Sequence, residues 1–197
     1  VVPALHRPLS AGARTDSPYN AAAMKSEKQA VHDFWQRAAC GEDLYLEGIG
    51  RADYLAQARQ RYELEPYIEE FAAFDAAAGR EVLEIGVGLG ADHQRFAEAG
   101  AVLSGIDLTP RAVEHVRRRL QLFGLQSRLA TGDAEQLAFP PASFDVVYSW
   151  GVIHHSPDTP RAVTEIHRVL KPGGVARVMI YHKWSLVGYM LWLRYGL

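Results

Sequence analysis

The chain has a single cysteine, Cys40, no apolar run long enough to span a bilayer, and no excess of either charge. Each shortage excludes something. One thiol rules out an intramolecular disulfide and a cysteine-rich metal site, and it fits a reducing compartment, here expected to be the cytoplasm. A buried, inert side chain is the expectation for Cys40. Without a long apolar run, no transmembrane segment is expected. Lys and Arg total 21 against 23 for Asp and Glu, a net charge of -2, so no nucleic-acid surface driven by bulk charge is expected. The run Arg117-Arg118-Arg119 reads instead as a solvated helix face. The histidines lack metal-ligand spacing such as H-E-x-x-H, and no metal is expected. Internal repeats and low-complexity tracts are missing as well.

What is present is 48% hydrophobic and 22% charged residues over 197 positions, the balance of one globular domain. Residues 1–23 scatter Pro3, Pro8, Gly12 and Pro18 among polar positions and lack the apolar core of a secretory signal. They are expected to be a leader outside the fold, with Met24 near the natural start. Residues 24–79 are expected to form an N-terminal helical cap. Positions 25–39 read as an amphipathic helix, with Val31, Phe34, Trp35 and Ala38 at helical spacing. Positions 53–78 read as one or two helices, bent near Pro66, with Tyr54, Tyr62, Tyr67, Phe71 and Phe74 as an aromatic face. That face packs in the first reading and walls a ligand cleft in the second.

Residues 80–197 alternate strand and helix. Strands are expected at 81–87, 102–107, 127–132, 144–150 and 175–181, and helices at 90–99, 110–123 and 159–170. Thr109 and Pro110 suit a helix start, and Lys171-Pro172-Gly173-Gly174 suits a helix stop. This alternation predicts an α/β fold, a Rossmann-like doubly wound parallel sheet with helices on both faces. Right-handed crossovers bring the strands' carboxyl ends to one edge.

At that edge the first strand ends in Glu84 and opens into Gly86-Val87-Gly88-Leu89-Gly90, while the next ends in Asp107. Glycines at alternate positions let main chain touch a ligand, and a strand-end carboxylate accepts both hydroxyls of a ribose. A nucleoside cofactor is therefore expected. Gly86, Gly88 and Ala91 also satisfy the permissive dinucleotide fingerprint G-x-G-x-x-G/A, with Asp107 at about the right distance. These two features alone do not separate nicotinamide cofactors from other nucleosides.

Further motifs do. Val82 to Gly90 is followed by Gly105-Ile106-Asp107-Leu108-Thr109-Pro110, Gly132-Asp133-Ala134-Glu135, Phe144-Asp145-Val146-Val147-Tyr148-Ser149, His154-His155, and Arg168 to Gly174. In this order the chain resembles the small-molecule branch of the class I S-adenosylmethionine-dependent methyltransferases, roughly from Arg80 to Tyr181. The resemblance implies S-adenosylmethionine as cofactor and methyl transfer to a small, lipophilic acceptor. It places Glu84, Gly86, Val87 and Gly88 at the methionine part, Asp107 on the ribose, and Leu108 on the adenine. Asp133 would accept from the adenine amino group, with Ala134 beside the ring, and Ser149 and Trp150 would line the floor through their backbone. Asp133 also reads as a turn cap; Asp92 would be a second acid near the methionine end, or reads as a helix-start carboxylate. His155, and less so His154, would be a base for acceptors that must lose a proton; either also suits the turn before Pro157.

Members of this family usually carry two further edge strands, which are expected to be missing here. Residues 182–197 read instead as an apolar helix too short to cross a membrane. It is expected to cover the open sheet edge, with a hydrophobic acceptor or a membrane surface as alternative contacts. A truncated chain, or one completed by a partner, follows, and oligomerisation stays open. Two other readings accompany the leading one: a cofactor-binding module without catalysis, and a nicotinamide-dependent oxidoreductase.

Overall fold

A computed structural model describes residues 18–181, with side chains from residue 22 onward. Its frame is a five-stranded, wholly parallel sheet of β1 (Glu81–Ile85), β2 (Val102–Asp107), β3 (Arg128–Thr131), β4 (Phe144–Trp150) and β5 (Leu170–Met179), in the order β3-β2-β1-β4-β5. The order reverses beside β1, so the crevice between the β1 and β4 ends is a topological switch point. Apart from the fifth, the strands lie where the hydrophobic pattern placed them. β5 starts earlier than expected because Leu170 pairs with Phe144 directly after the last helix. The chain then loops out through Pro172 and Gly173 (φ 79°) before Val175 pairs with Val146.

Helices α5 (Ala91–Glu98), α6 (Pro110–Phe123) and α7 (Thr159–Val169) are the crossovers. Leu83, Ile85 and Val147 face Ile166 and Val169 of α7, while Val82, Val146 and Tyr148 face Phe96 of α5 on the other side. Alternate residues of each strand thus bury on opposite faces, the requirement for a sheet covered twice. α6 begins at Pro110 behind Thr109, whose Oγ1 accepts from the Ala112 N–H at 3.4 Å.

The cap comprises α1 (Pro18–Arg37), α2 (Glu42–Tyr45), α3 (Arg51–Leu64) and α4 (Ile68–Ala72), then a 3₁₀ turn at Phe74–Ala77. α1 begins inside the stretch expected to be leader, so residues 18–23 are helical; residues 1–17 lie outside the described residues. The break between α3 and α4 falls at Glu65-Pro66-Tyr67, as proline lacks the N–H that would continue the helix. The apolar segment at 182–197 also lies outside the described residues.

Candidate functional site

The carboxyl ends of β1 to β4 open onto one cavity of about 500 Å³. Its floor is the turn after β1. Gly86 and Gly88 adopt φ of 82° and 50°, the left-handed region that disfavours other residues. A Cβ on Gly86 would lie 2.2 Å from Val152, so the turn packs there against the loop after β4. A Cβ on Gly88 would meet no heavy atom within 4 Å, so bare main chain faces the cavity. The Gly88 N–H reaches Asp107 Oδ2 at 3.3 Å, and Asp107 Oδ1 accepts from the Thr109 N–H and Oγ1, both at 2.9 Å. Burial pushes the Asp107 carboxyl up from its ordinary range, with these hydrogen bonds pulling the other way.

Glu84, Gly86, Val87, Gly88, Asp107 and Leu108 all border this cavity, as do Asp133, Ala134, Trp150 and His155. Two expected site residues do not. Ser149 is fully buried on the face that carries Val147, under α7, because strand side chains alternate and the cavity meets the sheet only at its edge. Its Oγ has no hydrogen-bond partner among the described residues. His154 turns away within the 3₁₀ turn Ile153–His155 and sets its ring 5.3 Å from Tyr181. Burial, then the neighbouring His155, lowers the His154 pKa to about 4. His155 faces the cavity with its ring 5.6 Å from Trp35, and burial lowers its pKa as well.

Asp133 is already engaged. Its Oδ1 accepts from the Glu135 N–H at 2.9 Å, the turn-capping role, and its Oδ2 holds Lys28 Nζ at 2.6 Å. Lys28 also reaches Glu135 Oε2 at 2.5 Å. Lys28, Val31 and Trp35 of α1 all border the cavity, spaced to share one helix face. From α3 come Gln57, Arg61 and Leu64. None of the five aromatics of the expected face borders it. Phe74 and Phe71 pack with Phe96 and Tyr148 against the sheet, Tyr54 is fully buried, and Tyr67 is 57% exposed. The cap walls the cavity, therefore, but with other residues. Cys40 is not buried as expected; its side chain opens onto the cavity, and the surrounding walls push the thiol pKa up.

Two buried hubs hold this arrangement. Asp92 accepts from Arg61 Nε and Nη2 at 3.0 and 2.7 Å, from Tyr62 OH at 3.0 Å and from Tyr148 OH at 2.8 Å. It binds α3 and β4 together rather than merely starting a helix. Burial works against the Arg61 cation, but the charge and hydrogen bonds of Asp92 outweigh it and raise the Arg61 pKa. Arg119 is the second hub and corrects the reading of 117–119 as a solvated face. It is 0% exposed and donates to Gln94 Oε1, Gln57 Oε1, Leu89 O and Tyr54 O. Burial lowers its pKa to about 10. Helical spacing could have found it, because position 119 shares the stripe of Ala112, Val116 and Leu120. No local signal marks Lys28 or Arg61.

Residues 83–178 match a protein family described as a methyltransferase domain. These residues form a class I S-adenosylmethionine-dependent methyltransferase domain. The cofactor of this family is S-adenosylmethionine, which removes the nicotinamide alternative left open by the glycine fingerprint. Among curated methyltransferases, the chain is 37% identical over 124 residues to a demethylmenaquinone methyltransferase of Tropheryma whipplei (strain Twist), covering 61% of this chain and 51% of that protein. It is 40% identical over 99 residues to a phthiotriol/phenolphthiotriol dimycocerosates methyltransferase of Mycobacterium leprae (strain TN), covering 49% of this chain and 36% of that protein. The chain thus spans about half or less of the length of these relatives. Among solved structures, the (4+2)-cyclase SpnF superimposes with a TM-score of 0.58 and 25% identity, over 76% of this chain and 58% of that one.

Proposed function

We propose that the protein binds S-adenosylmethionine in this cavity and transfers its methyl group to a small lipophilic acceptor. One observation carries the reading. Two acids on neighbouring strand tips, Glu84 and Asp107, flank bare main chain at Gly88, and all three border one cavity. The site fits the cofactor: a side chain at Gly88 would occupy the space a ligand needs, and the flanking carboxylates suit an amine at one end and ribose hydroxyls at the other. When bound, S-adenosylmethionine supplies a methyl already activated on a sulfonium. The chain then has to align the partners and exclude water.

In this reading Asp107 takes the ribose hydroxyls, while Leu108 and Ala134 pack on the adenine. Asp133 offers an acceptor to the adenine amino group once Lys28 shifts towards Glu135. Trp150 lines the floor. His155 takes a proton from acceptors that must lose one. Burial keeps its ring neutral near pH 7, with a lone pair available for that task. Trp35, Leu64 and Val31 give the acceptor side an apolar wall, in keeping with the quinone and lipid named for the two curated relatives. A cytoplasmic location belongs to the same reading and rests on the single cysteine; no helix among the described residues is long and apolar enough to cross a membrane.

Titration with S-adenosylhomocysteine tests the cofactor, and its failure to bind folded protein refutes the reading. A panel of lipophilic hydroxyl and quinol acceptors tests transfer. His155→Ala is expected to lower turnover by about 100-fold or more for acceptors that must be deprotonated, the usual contribution of a positioned base. Full turnover in that variant removes the base role. The likeness to a cyclase supports a second reading, in which the cavity binds cofactor without methyl transfer. Turnover with any acceptor eliminates it.

A further inference from the structure

Beneath the glycine turn lies a buried pair of which the methyl-transfer reading uses only one member, Glu84. Glu84 Oε2 is 2.7 Å from His93 Nδ1, and His93 Nε2 is 2.8 Å from Ser127 Oγ. The imidazole is fully buried, and Glu84 nearly so. The ring fits over β2 because position 105 has no side chain; a Cβ there would come within 2.6 Å of His93 Cε1.

Ser127 settles the tautomer. Its Oγ also lies 3.0 Å from the Leu103 carbonyl oxygen. A carbonyl can only accept, so the one hydroxyl hydrogen belongs to that bond. Ser127 must then accept from His93, which places a proton on Nε2. A neutral ring has no second proton, and Nδ1 would face the carboxylate with a lone pair. Two acceptors at 2.7 Å require a hydrogen between them. The pair therefore holds a bridging proton and carries no net charge. Burial raises the Glu84 pKa above the carboxylate range and lowers that of His93, in keeping with a proton that the pair shares. Asp92 on α5 and Asp107 at the β2 end face Glu84 and favour its protonation, whereas Arg61 on α3 and Arg119 on α6 oppose it. Tyr148 on β4, its own pKa raised, faces the pair as a neutral group.

We propose that Glu84 and His93 share this proton until the cofactor's cationic amine reaches Glu84, and that binding releases it. The inference rests on the cofactor site proposed above. After release, the remaining ring proton sits on Nδ1 and donates to the Glu84 carboxylate. The Ser127 hydroxyl turns from Leu103 O to Nε2, and the lost proton goes to solvent. His93 is thus a positioning residue: it holds the acid in place and lets it change charge without leaving a buried anion unpaired. The sign follows. The proton is held more tightly before binding than after, so affinity rises with pH, by about tenfold per unit while the pair stays protonated, and then levels off.

The test is calorimetry of the full chain with S-adenosylhomocysteine, which has the amine without the sulfonium charge. Buffers of different protonation enthalpy are compared at several pH values on either side of neutrality. The expected result is release of about one proton per molecule bound at the acidic end, falling towards zero as the pair deprotonates. Glu84→Gln removes the titrating acid, so binding weakens and proton release vanishes. His93→Asn keeps an N–H for Glu84 but removes the ring that shares the proton, so both the release and the pH dependence shrink. Binding without proton release at any pH overturns the proposal, as does release that persists unchanged in both variants. If His93→Asn does not fold, the wild-type buffer series and Glu84→Gln decide. Absence of binding by folded wild-type protein refutes the cofactor site itself, a different outcome from binding without release.

Discussion

α1 and α3 both reach the cavity, Lys28, Val31 and Trp35 from one and Arg61 and Leu64 from the other, but they are anchored differently. No described side chain of α1 is fully buried. The helix is held by Lys28 on Asp133 and Glu135, by Gln36 Oε1 accepting from the Arg111 N–H, and by Trp35 against His155. α3 buries Tyr54 and Gln57, sends Arg61 and Tyr62 to Asp92, and receives Arg119 from α6. Elements with few buried contacts open first. The roof is therefore stiff over the glycine turn, where Arg119 also grips Leu89 O, and releasable beside Asp133. A cofactor site needs both properties: a rigid floor for alignment and a door for exchange.

The largest effect should come from breaking the stiff side. Asp92→Ala takes the shared acceptor from the half-buried Arg61 and Tyr62 and from the fully buried Tyr148 hydroxyl, which should destabilise the fold by about 3 kcal/mol in urea unfolding. A loss under about 1 kcal/mol would mean that α3 is anchored by packing alone. Next comes the floor. Asp107→Ala should weaken S-adenosylhomocysteine binding by about 2 kcal/mol, roughly 30-fold, with little change in stability. Unchanged affinity would remove Asp107 from the site.

A smaller, pH-dependent effect belongs to α2, between α1 and α3, which Glu42 ties to α6. Glu42 accepts from Arg111 Nε and Nη2 at 2.7 and 2.6 Å and from the Ala39 N–H at 2.8 Å, and these bonds lower its pKa from 4.5 to about 2. Because the folded value is depressed, the stabilisation is present above pH 4.5 and is lost as pH falls towards 2. Glu42→Gln should flatten the stability profile across that window and lower stability above it. The smallest effect on stability is expected for the door. Lys28→Met removes a partly exposed ion pair, so unfolding should change by under about 1 kcal/mol. Amide exchange along α1 should nevertheless quicken while α3 stays protected. Equal exchange in both helices would erase the contrast between them.

The sheet and its crossovers were legible in the sequence. β2, β4 and α6 lie where period-two and period-3.6 patterns placed them, since each buries a stripe that local spacing alone defines. The glycine turn and the acids at 84 and 107 were legible for a related reason: their chemistry follows from position at a strand's end. Side-chain direction at the sheet edge was less so. Ser149 follows the alternation into the core, and only the bend after Gly151 sends His155 into the cavity and His154 away from it. The cap was least legible. Asp92 looked like a helix-start acid, and Arg119 looked like one charge in a row of three, because what buries them comes from α3, far away along the chain.

By itself the sequence determined which segments become strands, where main chain is left bare, and which acids stand at the strand tips, since these depend on near neighbours along the chain. Tertiary structure alone decided that Lys28 meets Asp133, that Arg61 meets Asp92, and that His93 settles over Gly105 against Glu84. Charged groups leave water only when a partner meets them inside, and those partners lie on other elements of the fold.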